Sequence, residues 1–306
     1  MKAISSIILF FFTGNMLFAQ ESDSFFEKRI SAFTWLPNGA SIILNVIKID
    51  KTKKTPPLFR KFRFDIKSEN ISLLPVDGGG LAVSPDGNSV AYIKRAMDKD
   101  HIYLYDFPAK KDMQLVGDTL RKFALNWSPD SKNLIYNIQL GRGPNAKVEI
   151  CIYNIPTNTI KQITENSVFK RYNPAWNTKN DQVVYTAEKG DERDQIYLTD
   201  KNGSFHTNLT NDTTTHNFAP VWLDKRTIIY HQSPDNLMTM KIDGSHKQRV
   251  EGISTSQFNY NTATKKIAYL DTEGNLLLFD MKSKIKKVLI STSQLNTLVN
   301  DNYFGQ

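Results

Sequence analysis

The chain alternates apolar and polar residues in short runs, each closed by Gly, Pro, Asn or Asp, and no stretch keeps the period of an amphipathic helix. Ser89-Val-Ala-Tyr-Ile-Lys94, His101-Ile-Tyr-Leu-Tyr-Asp106, Gln195-Ile-Tyr-Leu-Thr-Asp200 and Leu276-Leu-Leu-Phe-Asp280 show the pattern. Successive side chains of a strand point to opposite faces, so alternation predicts strands that bury one face more than the other. The expected fold class is all-β.

One unit recurs six times. An anchor residue runs into a turn at Trp35-Leu-Pro-Asn-Gly39, Val83-Ser-Pro-Asp-Gly87 and Trp127-Ser-Pro-Asp-Ser131. Weaker copies stand at Trp176-Asn-Thr-Lys-Asn180, Trp222-Leu-Asp-Lys225 and Tyr260-Asn-Thr-Ala-Thr264. The anchors lie 48, 44, 49, 46 and 38 residues apart. Nine residues past the anchor comes Leu44, Tyr92, Tyr136, Tyr185 or Tyr269, and eight past it in the fifth unit comes Tyr230.

Each unit reads as four strands, A to D. The anchor closes strand A, and Pro-Asp-Gly supplies the turn, with Pro fixing φ and Gly accepting a positive one. Strand B carries the tyrosine, and strand C is the clearest alternation. A second turn, such as Lys201-Asn-Gly203 or Asp243-Gly-Ser245, leads into strand D, as in Ile160-Lys-Gln-Ile-Thr164. Four strands in about 40–45 residues make one blade of a β-propeller. The prediction is a six-bladed β-propeller with four antiparallel strands per blade over 29–291 and a C-terminal tail, 292–306. The blades are expected at about 29–76, 77–117, 121–165, 170–211, 216–252 and 254–291. Every unit is complete in A-to-D order, so closure requires no exchanged strand. A lone blade would leave both sheet faces wet, and the four tryptophans fit as wedges between neighbours.

Pro174-Ala-Trp176, Trp127-Ser-Pro-Asp130 and Ile196-Tyr-Leu-Thr-Asp200 resemble the WD40-like repeat of TolB-type six-bladed propellers. The resemblance implies the fold rather than a function, because the same repeat occurs in prolyl-oligopeptidase-type peptidases and in many exported bacterial proteins. TolB-type proteins carry an extra α/β domain before the propeller, and the peptidases carry a hydrolase domain. This chain has room for neither, so a propeller acting alone is expected. The partner that the resemblance implies is an envelope protein of the peptidoglycan-associated lipoprotein kind.

The N-terminus gives the compartment. Met1-Lys2, the apolar run Ile7–Phe12 and Met16-Leu-Phe-Ala19 read as a secretory signal peptide over 1–19, cleaved after Ala19, with 20–28 as a short segment before the first blade. The run is too short to span a bilayer, and no later segment is apolar enough to do so. A periplasmic or secreted protein is expected. Hydrophobic residues make up 40% of the chain, enough for a packed core. Cys151 is the single cysteine, which excludes an internal disulfide, and its strand setting predicts a buried free thiol. The formal charge of +8 would usually suggest nucleic acid, membrane or an anionic polymer. Export removes nucleic acid, and without the leader's Lys2 the charge is +7.

Strand order puts the A–B and C–D turns on one face and the B–C and D–A loops on the other. The A–B turns are short and stereotyped, as structural turns are. The B–C loops vary, from Val46 to Pro57 in the first unit to Leu140–Lys147 in the third, and variable loops on a rigid scaffold usually carry binding. Five or six places before the anchors stand Arg29, Arg121, Lys122, Lys170, Arg171 and His216. These six are the candidate partner-binding residues, read as a basic rim at the channel mouth for an acidic envelope protein or an anionic glycan.

No nucleophile elbow, metalloprotease helix or phosphate loop occurs, so no catalytic residue and no cofactor is assigned. Asp200-Lys-Asn-Gly203 echoes a calcium loop but lacks the later ligands. His216 and His231 share the fifth unit without a paired carboxylate, so no metal site is assigned. The function expected is a monomeric, exported, non-enzymatic module that binds protein through its D–A/B–C face. The alternative is a glycan-active enzyme or lectin using the central channel.

Overall fold

The computed structural model describes residues 26–305 apart from 97–98, 144, 166–168, 178, 180 and 191, so the expected leader lies outside the described residues. Six sheets, each of four antiparallel strands consecutive in sequence, make a β-propeller. The innermost strands, which carry the anchors, are Phe26–Trp35, Gly79–Val83, Arg121–Trp127, Lys170–Trp176, Asn217–Trp222 and Phe258–Asn261. The strands that follow carry Leu44, Tyr92, Tyr136, Tyr185, Tyr230 and Tyr269, all buried. The recurring aromatic of the sequence is thus the side chain that each blade turns into a blade-to-blade core.

The A–B turns are knitted by their own side chains. In the second blade Ser84 Oγ donates to Asp86 at 2.5 Å and accepts from the Ser89 amide at 2.9 Å. The third blade repeats this with Ser128, Asp130 and the Asn133 amide. At the other echo of a motif, Asp200 accepts from the Asn202 and Ser204 amides, which makes it a hairpin turn.

Four inner strands share a bulge three residues before the anchor, with left-handed backbone at Gly80, Ala124, Asn173 and Ala219. A bulge frees an amide from the ladder. In two blades a side chain of the preceding blade takes it: the Asn173 amide donates to Asn137 at 3.1 Å, and the Ala219 amide to Thr186 at 3.0 Å.

The tryptophans join blades in the same direction. Trp127 Nε1 donates to the Ala82 carbonyl and Trp222 Nε1 to the Ala175 carbonyl, both at 2.9 Å. Trp35 does the same to Asn259 at 3.2 Å, across the junction of first and last blades. Trp176 Nε1 is buried without a partner. Each bond satisfies an indole N–H that burial would otherwise strand.

Among the described residues closure uses no exchanged strand. The tail adds a helix, Thr292–Leu298, started by a capping box between Ser291 and Gln294, and then a 3-10 turn, Asp301–Phe304. Leu295, Val299 and Phe304 join one core with Phe33, Trp35, Leu44 and Phe62 of the first blade and Leu276, Leu278 and Ile290 of the last. Arg60 Nε donates to the Tyr303 carbonyl at 3.1 Å, and Asp301 bridges Lys28 and Lys48 at 3.0 and 3.2 Å. Among the described residues no helix is long and apolar enough to cross a membrane.

Candidate functional site

The basic residues before the anchors divide into two kinds. Lys122, Arg171 and His216 stand at three successive blade seams, each bonded to a carboxylate that lies 22 residues earlier on the preceding blade. Arg171 Nη1 donates to Glu149 at 2.7 Å with both side chains buried. Thr164 Oγ1 donates to the same carboxylate oxygen at 2.6 Å. The Lys122 amide donates to Asp100 at 3.0 Å, and its buried ammonium binds the Asp100 carbonyl at 2.9 Å and the Asp118 carboxylate. His216 Nδ1 is 3.0 Å from Asp194, and Arg193 donates to its Nε2 at 2.8 Å. These residues hold blades together, and Lys122 and Arg171 are too buried to meet a partner directly.

The other candidates are at the surface. Arg29 is exposed and paired with Glu27, its Nη2 donating at 3.0 Å. Lys170 lies 3.6 Å from Glu188, directly across its own hairpin. Arg121 is exposed at the start of the third blade's inner strand.

Around Arg121 the loop face opens into a cleft of about 510 Å³ between the second and third blades. Arg95, Thr119, Leu120, Arg121, Gln139, Gly141, Arg142 and Gly143 line it. Gln139 is the cross-strand partner of Arg121. Arg142 is carried by the B–C loop between Gly141 (φ 83°) and Gly143 (φ 76°), backbone that favours glycine and that reverses the chain tightly on either side of the arginine. Among the described residues the cleft lining contains neither an acid nor a histidine.

Among the described residues, the carboxylates beside the cleft, Asp100 and Asp118, are already engaged. Arg95 grips Asp100 with Nε at 2.8 Å and Nη2 at 3.1 Å. Burial would raise the Asp100 carboxyl, but Arg95 and the Lys122 amide outweigh it and hold it below its ordinary value. Asp118 accepts the Leu120 amide at 2.8 Å as well as the Lys122 ammonium. Other loops on this face are fixed by carboxylate knots. Asp50, which accepts from Thr52 and Thr55, is pulled down to about 2, chiefly by the Thr52 hydroxyl. Asp212 accepts in the same way from Thr215 and Thr214, which lower its carboxyl pKa.

Sequence reasoning found Arg121 but missed Arg95, Gln139 and Arg142. Two signals were available: an arginine isolated between glycines in a variable loop, and acids placed a constant 22 residues before Lys122, Arg171 and His216.

The opposite mouth of the channel is lined by the anchors and turns of several blades, among them Trp35, Trp127, Trp176 and Trp222 with Lys179, Lys225, Lys265 and Asp224, around about 740 Å³. His231 does not meet His216 at a shared site. Its ring stacks on Phe218 at 5.2 Å and meets the edge of Phe258 at 4.9 Å, and burial lowers its pKa to about 4. Among the described residues no three His, Cys, Asp or Glu side chains gather as metal ligands do.

The family model described as TolB beta propeller domain matches residues 66–298. TolB from Acinetobacter baumannii superposes with a TM-score of 0.61 at 16% identity, over 80% of this chain and 75% of that one. An oligogalacturonate lyase in complex with manganese gives 0.62 at 13% identity, over 87% and 78%. The beta-propeller domain of the Trilobed protease from Pyrococcus furiosus, described as having an open velcro topology, gives 0.60 at 11% identity, over 90% and 99%. At these identities the likeness is one of fold. No curated protein sequence matches the chain. The matched profile spans most of the residues, and the chain belongs to the TolB beta-propeller domain family.

Proposed function

We propose that this protein is an exported, non-enzymatic binding module of the cell envelope that captures a protein partner through its D–A/B–C face. The observation that carries the reading is the composition of the loop-face cleft: among the described residues its lining has three arginines, one glutamine, and no Asp, Glu or His. Acid–base chemistry on a glycan needs a pair of titratable groups within reach of one bond. An arginine-lined cleft, with Arg95 and Arg121 on strands and Arg142 on a loop, suits recognition of an anionic group instead. TolB among the fold neighbours agrees with an envelope role, while the oligogalacturonate lyase keeps the glycan-active reading as the alternative to test.

Affinity capture by the full chain from envelope extract, run beside a glycan panel, separates the two. A specific protein partner supports the module. Turnover of one glycan with no protein captured overturns it.

A further inference from the structure

We propose that the cleft between the second and third blades is a receptor for a carboxylate of an acidic peptide segment, with Arg121 and Arg142 as the two recognising side chains. The inference rests on the binding-module reading above and names the chemistry of its partner.

Among the described residues neither Arg121 nor Arg142 is in an ion pair, whereas Arg95, Lys122 and Lys170 each have one. The wall is preorganised. Arg95 is held by two bonds to buried Asp100, and Lys122, under the cleft floor, ties Asp100, Asp118 and the Leu120 carbonyl together. Among the described residues Asp100 and Asp118 are both spent on these bonds, so of the four cations Arg95, Arg121, Arg142 and Lys122 it is Arg121 and Arg142 that remain to meet an anion. A guanidinium presents a planar fork that matches a carboxylate in two parallel hydrogen bonds.

The rest of the lining favours a peptide over a sugar. Thr119, the Gln139 side chain and the exposed main chain at Gly141 and Gly143 put polar groups beside a docked main chain, with the two glycine carbonyls also accepting from Gln139 Nε2 at 3.2 Å and the Ala146 amide at 3.1 Å. Among the described residues no aromatic ring lines the cleft on which the face of a pyranose would stack. A Cβ at position 143 would meet nothing within 4 Å, so there is room for a chain to approach its backbone. A cleft of about 510 Å³ accommodates a few peptide residues.

The test is fluorescence anisotropy of the full chain with three labelled probes: a hexapeptide of alternating Glu and Asp, its C-terminally amidated form, and a hexalysine control. The acidic peptide is expected to bind, to weaken as salt is raised, and to lose about tenfold in affinity with each of Arg121→Gln and Arg142→Gln. Hexalysine is expected not to bind. Loss of binding on amidation assigns the terminal carboxylate, and retention assigns side chains. Equal binding by the double variant overturns the proposal, as does failure of both acidic probes. An unlabelled uronic-acid tetrasaccharide is added as competitor, and displacement of the peptide by it at lower concentration than by unlabelled acidic peptide also overturns the proposal. Envelope capture separates this failure from that of the parent reading. A partner still captured by the double variant removes the cleft and keeps the module. Acidic-peptide binding with no envelope partner removes the module and keeps the cleft.

Discussion

The indole Nε1 of Trp35 donates to the carbonyl of Asn259 at 3.2 Å, joining residues 224 positions apart in sequence. The same bond runs from Trp127 to Ala82 and from Trp222 to Ala175, so the junction of first and last blades is built like internal ones. The tail then covers that junction. Closure is a repeated seam plus a clasp, with every bond between neighbours in the ring.

Trp35→Phe and Trp176→Phe remove similar buried area, but only the first removes a hydrogen bond. Trp35→Phe is therefore expected to cost about 1 kcal/mol more than Trp176→Phe in urea unfolding. Equal costs would show that the indole bond adds nothing to closure.

Arg171→Met strands the buried Glu149 carboxylate, whose second oxygen already has no partner. The expected loss is about 3–5 kcal/mol. Adding Glu149→Leu removes the stranded charge, so the double variant is expected to recover stability relative to Arg171→Met. Strictly additive losses in a double-mutant cycle would contradict this role.

Leu295 of the clasp helix is 1% exposed against the first and last blades. Leu295→Ala leaves a cavity at the junction and is expected to cost about 2–4 kcal/mol by thermal or urea unfolding. A loss below about 0.5 kcal/mol, the range typical of surface changes, would mean that the helix does not hold the ring shut.

His231 has an ordinary value near 6.5, and burial among Phe218 and Phe258 lowers it to about 4. A lowered histidine favours the neutral folded form, so its contribution is full above pH 6.5 and is lost as pH falls through the folded value. Lowering the pH from 7 to 4.5 is expected to cost about 2–3 kcal/mol through this group. His231→Leu should flatten that part of the stability profile, and an unchanged slope would assign the acid sensitivity elsewhere.

The blade repeat was legible because burial imposes it on sequence: the tyrosine after five of the turns, and Leu44 after the first, is read directly, and each proves buried. The bulge was not legible, because Gly80, Ala124, Asn173 and Ala219 share a backbone conformation and no side-chain chemistry. The basic positions before the anchors were legible as charge. Their purpose was not, since the acids that meet Lys122, Arg171 and His216 lie on the preceding blade and become neighbours only in the ring. The cleft was half legible. Arg121 stood out by position, while Arg95, near the end of a strand of the second blade, and Arg142, on a loop of the third, are brought together only by adjacent blades.

The most direct test compares envelope capture by the wild-type chain, by Arg121→Glu/Arg142→Glu on the loop face, and by Lys179→Glu/Lys225→Glu at the opposite mouth. The account predicts that the first pair abolishes capture and the second leaves it intact. Capture that survives reversal at Arg121 and Arg142 but fails at Lys179 and Lys225 would place the working surface at the other end of the channel and contradict it.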